Sequence, residues 1–124
     1  MAKLLHNDVL DAALDKVATC TNLNFCSSQP ANYAGISAVT LVNAELTAGD
    51  GGGDYVIADD TSGRKVTVGV QENMTPTADG TVLWATLDDG TTLLAVTSVT
   101  SQAVTTSQTW NSPAFKIGIA DPTA

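Results

Sequence analysis

The side chains able to do chemistry in this 124-residue chain are few and scattered. There is one histidine, His6, and there are two cysteines, Cys20 and Cys26. Nucleophilic catalysis needs an activated Ser, Thr or Cys beside a base, and acid–base catalysis needs a tuned titratable group within reach of substrate. A structural zinc site needs about four ligands. His6 with two thiols falls short of that set, and no dense polar cluster surrounds any of the three. Asp88 and Asp89 have the composition of a carboxylate pair, but adjacent residues in a turn point apart, so they read as turn formers. The acidic glycine loop Asp50-Gly51-Gly52-Gly53-Asp54, with Asp59 and Asp60 close behind, offers carboxylates and carbonyls to Ca²⁺. It matches neither the EF-hand spacing nor the tandem copies of a calcium β-roll, and reads as a solvated loop. Trp84, Trp110, Tyr33 and Tyr55 would make a sugar-stacking platform only by sharing one exposed face. Trp84 lies in the most apolar strand and is expected in the core. Trp110 precedes Asn111-Ser112-Pro113 and is the better contact residue. The expectation is a protein that is not an enzyme, with no catalytic residue, no metal site and no cofactor.

Composition supports a binding or structural role. The formal net charge is −8, with thirteen acidic and five basic residues. Nucleic-acid binders need clustered cations to neutralise phosphates, and only Arg64 and Lys65 are adjacent. Nucleic acid and anionic membrane surfaces are therefore not expected partners. No apolar run approaches the ~20 residues that span a bilayer. The start, Met1-Ala2-Lys3-Leu4-Leu5-His6, lacks the apolar core of a secretory signal, which points to synthesis in the cytoplasm. Two buried thiols are then the preferred reading of Cys20 and Cys26, although a short connection also allows a disulfide.

The elements that must position these residues are mostly strands. One helix is expected near residues 4–18, capped by Asn7 or Asp8, with Val9, Leu10, Ala13, Leu14 and Val17 on one stripe. That stripe needs a covering surface, either its own sheet or a neighbouring subunit. Strands are expected at Thr21–Ser27 and Tyr55–Ile57, with one long or broken strand over Gly35–Thr47. Val66, Val68 and Val70 alternate with Lys65, Thr67 and Gly69, the period of a half-buried strand. Thr81–Leu87 and Thr92–Thr100 form a hairpin around Asp88-Asp89-Gly90. Ser101–Gln108 reads as a turn plus an edge strand, and Ser112–Ala120 as the last strand. The expected core is Leu23, Phe25, Val66, Val68, Trp84, Leu94, Phe115, Ile117 and Ile119. Short strands with frequent turns predict a mainly β protein, an antiparallel β-sandwich or small barrel with one N-terminal α-helix. Residues 1–20 form the helical segment and 21–124 the β domain, within a single domain overall.

The order of segments resembles a family of small proteins encoded in the structural-gene regions of tailed bacteriophages. The resemblance rests on Leu10-Asp11-Ala12-Ala13-Leu14, Phe25-Cys26-Ser27-Ser28-Gln29-Pro30 and Ser62-Gly63-Arg64-Lys65-Val66-Thr67-Val68. It continues through Trp84-Ala85-Thr86-Leu87-Asp88-Asp89-Gly90 and Pro113-Ala114-Phe115-Lys116-Ile117. It implies a component of the phage particle, in head or tail, made in the bacterial host cytoplasm. A helix beside a compact β domain, high solubility and no catalytic residues then suit foremost a decoration or cement protein on the capsid. Its partners would be the major capsid protein or other virion proteins, and copies of itself. A tail, collar or fibre-associated adaptor and a carbohydrate-binding adhesion module are the alternatives. Leu4, Leu5, Arg64, Lys65, Thr106 and Trp110 are the candidate partner contacts. Arg64 and Lys65 could meet acidic groups of a neighbouring subunit or simply start a solvated strand.

Overall fold

The computed structural model describes His6–Ala120. The protein is mainly β, with two antiparallel sheets and an N-terminal helix, as in a β-sandwich, and neither sheet closes into a barrel. Leu4 and Leu5 lie outside the described residues. The described chain falls into two compact units.

One unit combines the N-terminal segment through Thr19 with Thr47–Gly69 and the segment from Ala114. It holds helix α1 (Asn7–Val17). Its sheet is built of β3 (Tyr55–Asp59), β4 (Arg64–Val68) and β7 (Phe115–Ile119), in the order β3-β4-β7. The cap of α1 is His6, whose Nδ1 accepts the Asp8 N–H at 3.1 Å, rather than the expected Asn7 or Asp8. The buried stripe is narrower than predicted. Leu10, Leu14 and Ala18 are buried, while Val9 is 56% exposed. The helix packs on β3 and β4 of its own chain, so the surface its stripe requires is internal. The β3–β4 turn passes through Gly63 at φ +74°, and a Cβ there would collide with the Ile119 carbonyl of β7. Only glycine allows both that conformation and that approach.

The other unit combines Cys20–Leu46 with Val70–Pro113. Its sheet runs β2 (Thr40–Glu45), β1 (Asn22–Cys26), β5 (Gly80–Asp88) and β6 (Leu93–Val104), in that order. The expected strand from Gly35 is overturned in its first half. Asn32 Oδ1 accepts the Gly35 N–H at 3.0 Å and opens a 3₁₀ turn at Tyr33–Gly35, which runs into the short helix α2 (Ile36–Val39). The Thr40 hydroxyl then donates to the Ile36 carbonyl at 2.7 Å, and the chain becomes extended. Local side-chain bonds have outcompeted the ladder here. At the other edge, Ser101–Val104 extends β6 instead of forming a separate strand. Register shifts between Val82 and Trp84, so Leu83 faces Val99, Thr100 and Ser101 across a bulge.

The predicted core divides in two. Leu23, Phe25, Val66 and Val68 are fully buried, whereas Trp84, Leu94, Phe115, Ile117 and Ile119 are half-buried. The reason for β7 is positional: among the described residues it is an edge strand, paired only with β4. Tyr55, not among the expected core residues, is fully buried and so cannot join an exposed stacking face. Phe25 meets Trp110 edge-to-face, with ring centroids 4.8 Å apart. Phe25→Ala should therefore cost about 3–5 kcal/mol, because the cavity cannot refill with solvent or collapse fully. Phe115→Ala should cost clearly less. Denaturant unfolding of the two variants checks the order, and a larger loss at Phe115 would contradict this account of the core.

Candidate functional site

β1 reads Asn22-Leu23-Asn24-Phe25-Cys26, and its period of two sends Leu23 and Phe25 to one face and the asparagines to the other. Cross-strand register then decides what the asparagines meet. Asn22 pairs with Asp88, and Asn24 pairs with Thr86 on β5 and Asn43 on β2. Directly paired residues share a face, so one side of the sheet carries Asn22, Asn24, Asn43, Thr86 and Asp88 together.

Asp88 is only 2% exposed. Its Oδ1 accepts from Asn22 Nδ2 at 3.0 Å and from the Gly90 N–H at 2.9 Å, and its Oδ2 accepts from Asn24 Nδ2 at 2.7 Å. Asn43 Nδ2 completes the chain by donating to Asn24 Oδ1 at 2.6 Å. A buried carboxylate without a cation is tolerable only when its oxygens are supplied with N–H donors. This network opens into a cavity of about 540 Å³, with Tyr33 and Ser37 from the 3₁₀ turn and α2 among its lining. Asp88 therefore does more than shape a turn. Asp89 has the turn role, accepting from the Thr91 and Thr92 N–H groups. The missed signal was the Asn-x-Asn spacing inside a strand, where asparagine is normally depleted.

Other carboxylates have local employment. Asp50 Oδ1 accepts the Ile57 N–H at 2.9 Å, and Asp54 Oδ2 accepts the Thr47 N–H at 2.6 Å. Both bonds shape the glycine loop. Among the described residues no group of three or more His, Cys, Asp or Glu side chains is placed to hold a metal. Arg64 bonds Asp11 of α1 through Nε and Nη2 at 2.8 and 3.1 Å, and Asp59 through Nη1 at 2.8 Å. These bonds raise its pKa above the ordinary guanidinium value. The arginine thus ties α1 to the sheet of its own unit. Lys65 is half-buried beside it on β4. Lys116 Nζ lies 2.9 and 3.0 Å from the two oxygens of Asp60. That bond, helped by the Thr61 N–H, holds Asp60 below the usual carboxylate range.

Thr106 is exposed in the turn after β6, with its N–H donated to Asp79 Oδ1 at 2.7 Å. Trp110 is half-buried against Phe25, and its Nε1 donates to Gln102. It therefore does not join Tyr33 at the cavity. Cys20 and Cys26 are both buried thiols. Burial raises the Cys26 pKa, only partly opposed by bonds from Thr40 and Thr86, which keeps it protonated and unreactive.

No protein-family model, curated protein or solved structure matches this chain.

Removing the Asp88 carboxylate strands Asn22, Asn24 and the Gly90 N–H. Asp88→Ala is expected to lower stability by about 2–4 kcal/mol in chemical denaturation. A neutral result would mean that the network carries no weight in folding. Asp60 gives a pH signature. Its folded pKa is lowered, so its stabilising contribution is present above the unfolded value of about 4 and is lost as pH falls through the folded value. Asp60→Asn should flatten the acid limb of a stability–pH curve below about pH 4. Lys116→Ala should flatten it similarly. Curves that superimpose on that of the unmodified protein would rule out this linkage.

Proposed function

We propose that this chain is a bacteriophage virion structural protein, foremost a decoration protein that binds and stabilises the outer surface of the head. Its partners on this reading are the major capsid protein and further copies of itself. The observation that carries the reading is the outer edge of β6. This twelve-residue strand ends its sheet, contains no charged residue and no proline, and has no strand partner on that side among the described residues. An open edge normally bears Lys, Glu or Pro to prevent pairing, and β6 has only the bulge opposite Leu83. Leu93–Thr97 is half-buried and uncharged, a template for main-chain hydrogen bonding to another chain. Many such weak contacts on a symmetric shell act together through multivalency.

The resemblance to small phage structural proteins supplies the particle, and the open edge supplies a means of attachment. Arg64 is engaged by Asp11 and Asp59 of its own chain, so on this reading the sheet edge, not that cation, makes the contact.

The test is to charge the edge. Ser98 is exposed on β6, so Ser98→Lys should fold normally. Its occupancy on purified capsids should fall, and the decorated capsids should lose thermal stability relative to those carrying the unmodified protein. Unchanged occupancy with a folded variant would defeat attachment through this edge. Binding to isolated tails but not to heads would replace the capsid reading with that of a tail or collar adaptor.

A further inference from the structure

The cavity above Asp88 is not needed by an attachment edge, yet it is built. It holds about 540 Å³, within the range of small-molecule sites, and its base is a hydrogen-bonded polar network on the four-stranded sheet. Such a base is preorganised: Asn22, Asn24 and Asp88 are already held in place before any ligand arrives. We propose that this cavity is a binding site for a neutral saccharide. The proposal does not rest on the capsid reading and stands or falls separately from it.

Three features select the ligand class. First, charge: among the described residues no Lys, Arg or His lines the cavity, and Asp88 is the one formally charged group in its lining. An anionic ligand would meet a carboxylate and no counter-ion. Second, the carboxylate is already supplied. Two N–H groups reach Oδ1 and one reaches Oδ2, so a neutral hydroxyl donating to the remaining lone-pair position suffices and a cation is not required. Third, the other lining groups are mixed. Asn43 is exposed and its amide keeps a donor and an acceptor beyond its bond to Asn24, and Ser37 adds a hydroxyl. A ligand that matches amides and hydroxyls must itself donate and accept at neighbouring positions, as the vicinal hydroxyls of a sugar ring do. Tyr33, 42% exposed, adds an aromatic ring to the lining, where the C–H face of a pyranose can pack.

The sugar site so defined differs from an aromatic platform at Trp110, which is packed on Phe25. It is made by residues from β1, β2, β5 and the 3₁₀–α2 turn, all within one compact unit.

The experiment is a titration of the isotope-labelled full chain, followed by NMR, with D-glucose, D-galactose, D-mannose, N-acetyl-D-glucosamine and L-rhamnose. N-acetylarginine amide serves as a cationic comparison. The expected result is a saturable shift of the Asn22, Asn24 and Asn43 side-chain amide signals with at least one sugar. Tyr33 and Asn43 are exposed, so Tyr33→Ala and Asn43→Ala should fold. Each should weaken that sugar by about tenfold, the loss of roughly one good hydrogen bond or ring contact. Trp110→Ala should leave the affinity unchanged. If one variant fails to fold, the shift map of the unmodified protein decides the location by itself. The proposal is overturned if no sugar moves these signals, or if affinity survives intact in both cavity variants. It is equally overturned if only the arginine derivative binds, which would make the cavity a socket for a partner's cationic side chain.

Discussion

A carboxylate buried on the face of a sheet has to be given N–H donors, and the four-stranded sheet of this protein is organised around that demand at Asp88. Two donors come from β1 and one from the turn that follows β5. They converge only in one register. A one-residue slip of β1 against β5 would send Asn22 and Asn24 to the opposite face and bring Leu23 and Phe25 onto the carboxylate. The polar network and the apolar face of β1 therefore enforce the same alignment. Agreement between two independent local preferences of this kind narrows the alternatives open to a folding chain.

The first unit solves a smaller version of the same problem with opposite charges. Arg64 at the start of β4 is held by Asp59 across the strand pair and by Asp11 on the helix. The bidentate bond to Asp11 orients α1 against the sheet on which Leu10 and Leu14 are buried. Arg64 and Asp11 keep 17% and 28% of their side-chain surface exposed and Asp59 keeps 80%, so solvent screening limits these ion pairs and they contribute direction more than energy. The burial of Leu10 and Leu14 contributes the energy.

Among the surfaces these constraints leave open are the uncharged outer edge of β6 and the cavity over Asn22, Asn24 and Asp88. They differ in physics. The edge recognises backbone and would be indifferent to most of a partner's side chains. The cavity is small, fixed and polar, and would discriminate between ligands by the placement of single hydroxyls. On the proposed reading, one would serve attachment and the other contact with what lies outside.

What the sequence determined alone was whatever is local or periodic. Alternation at Val66 and Val68, the Asp89-Gly90 turn and the Leu10–Leu14 spacing specify strand, hairpin and helix through short-range sterics and a repeating pattern of burial. The mainly β class with an N-terminal helix followed from those signals. Tertiary structure alone decided the rest, because it depends on register and on competition between bonds. Asn32 capped a turn where the apolar pattern predicted a strand, since a nearby side-chain acceptor satisfied the backbone sooner than a ladder could. Phe115, Ile117 and Ile119 alternate as a core strand should, but β7 lies at an edge and is only half covered. Asp88 looked like half of a surface turn, and only the pairing of β5 with β1 placed it beneath two asparagines more than sixty residues away in the chain. A site made of groups so distant has no sequence motif, because its spacing is set by hydrogen bonds across strands and not by the order of residues along them.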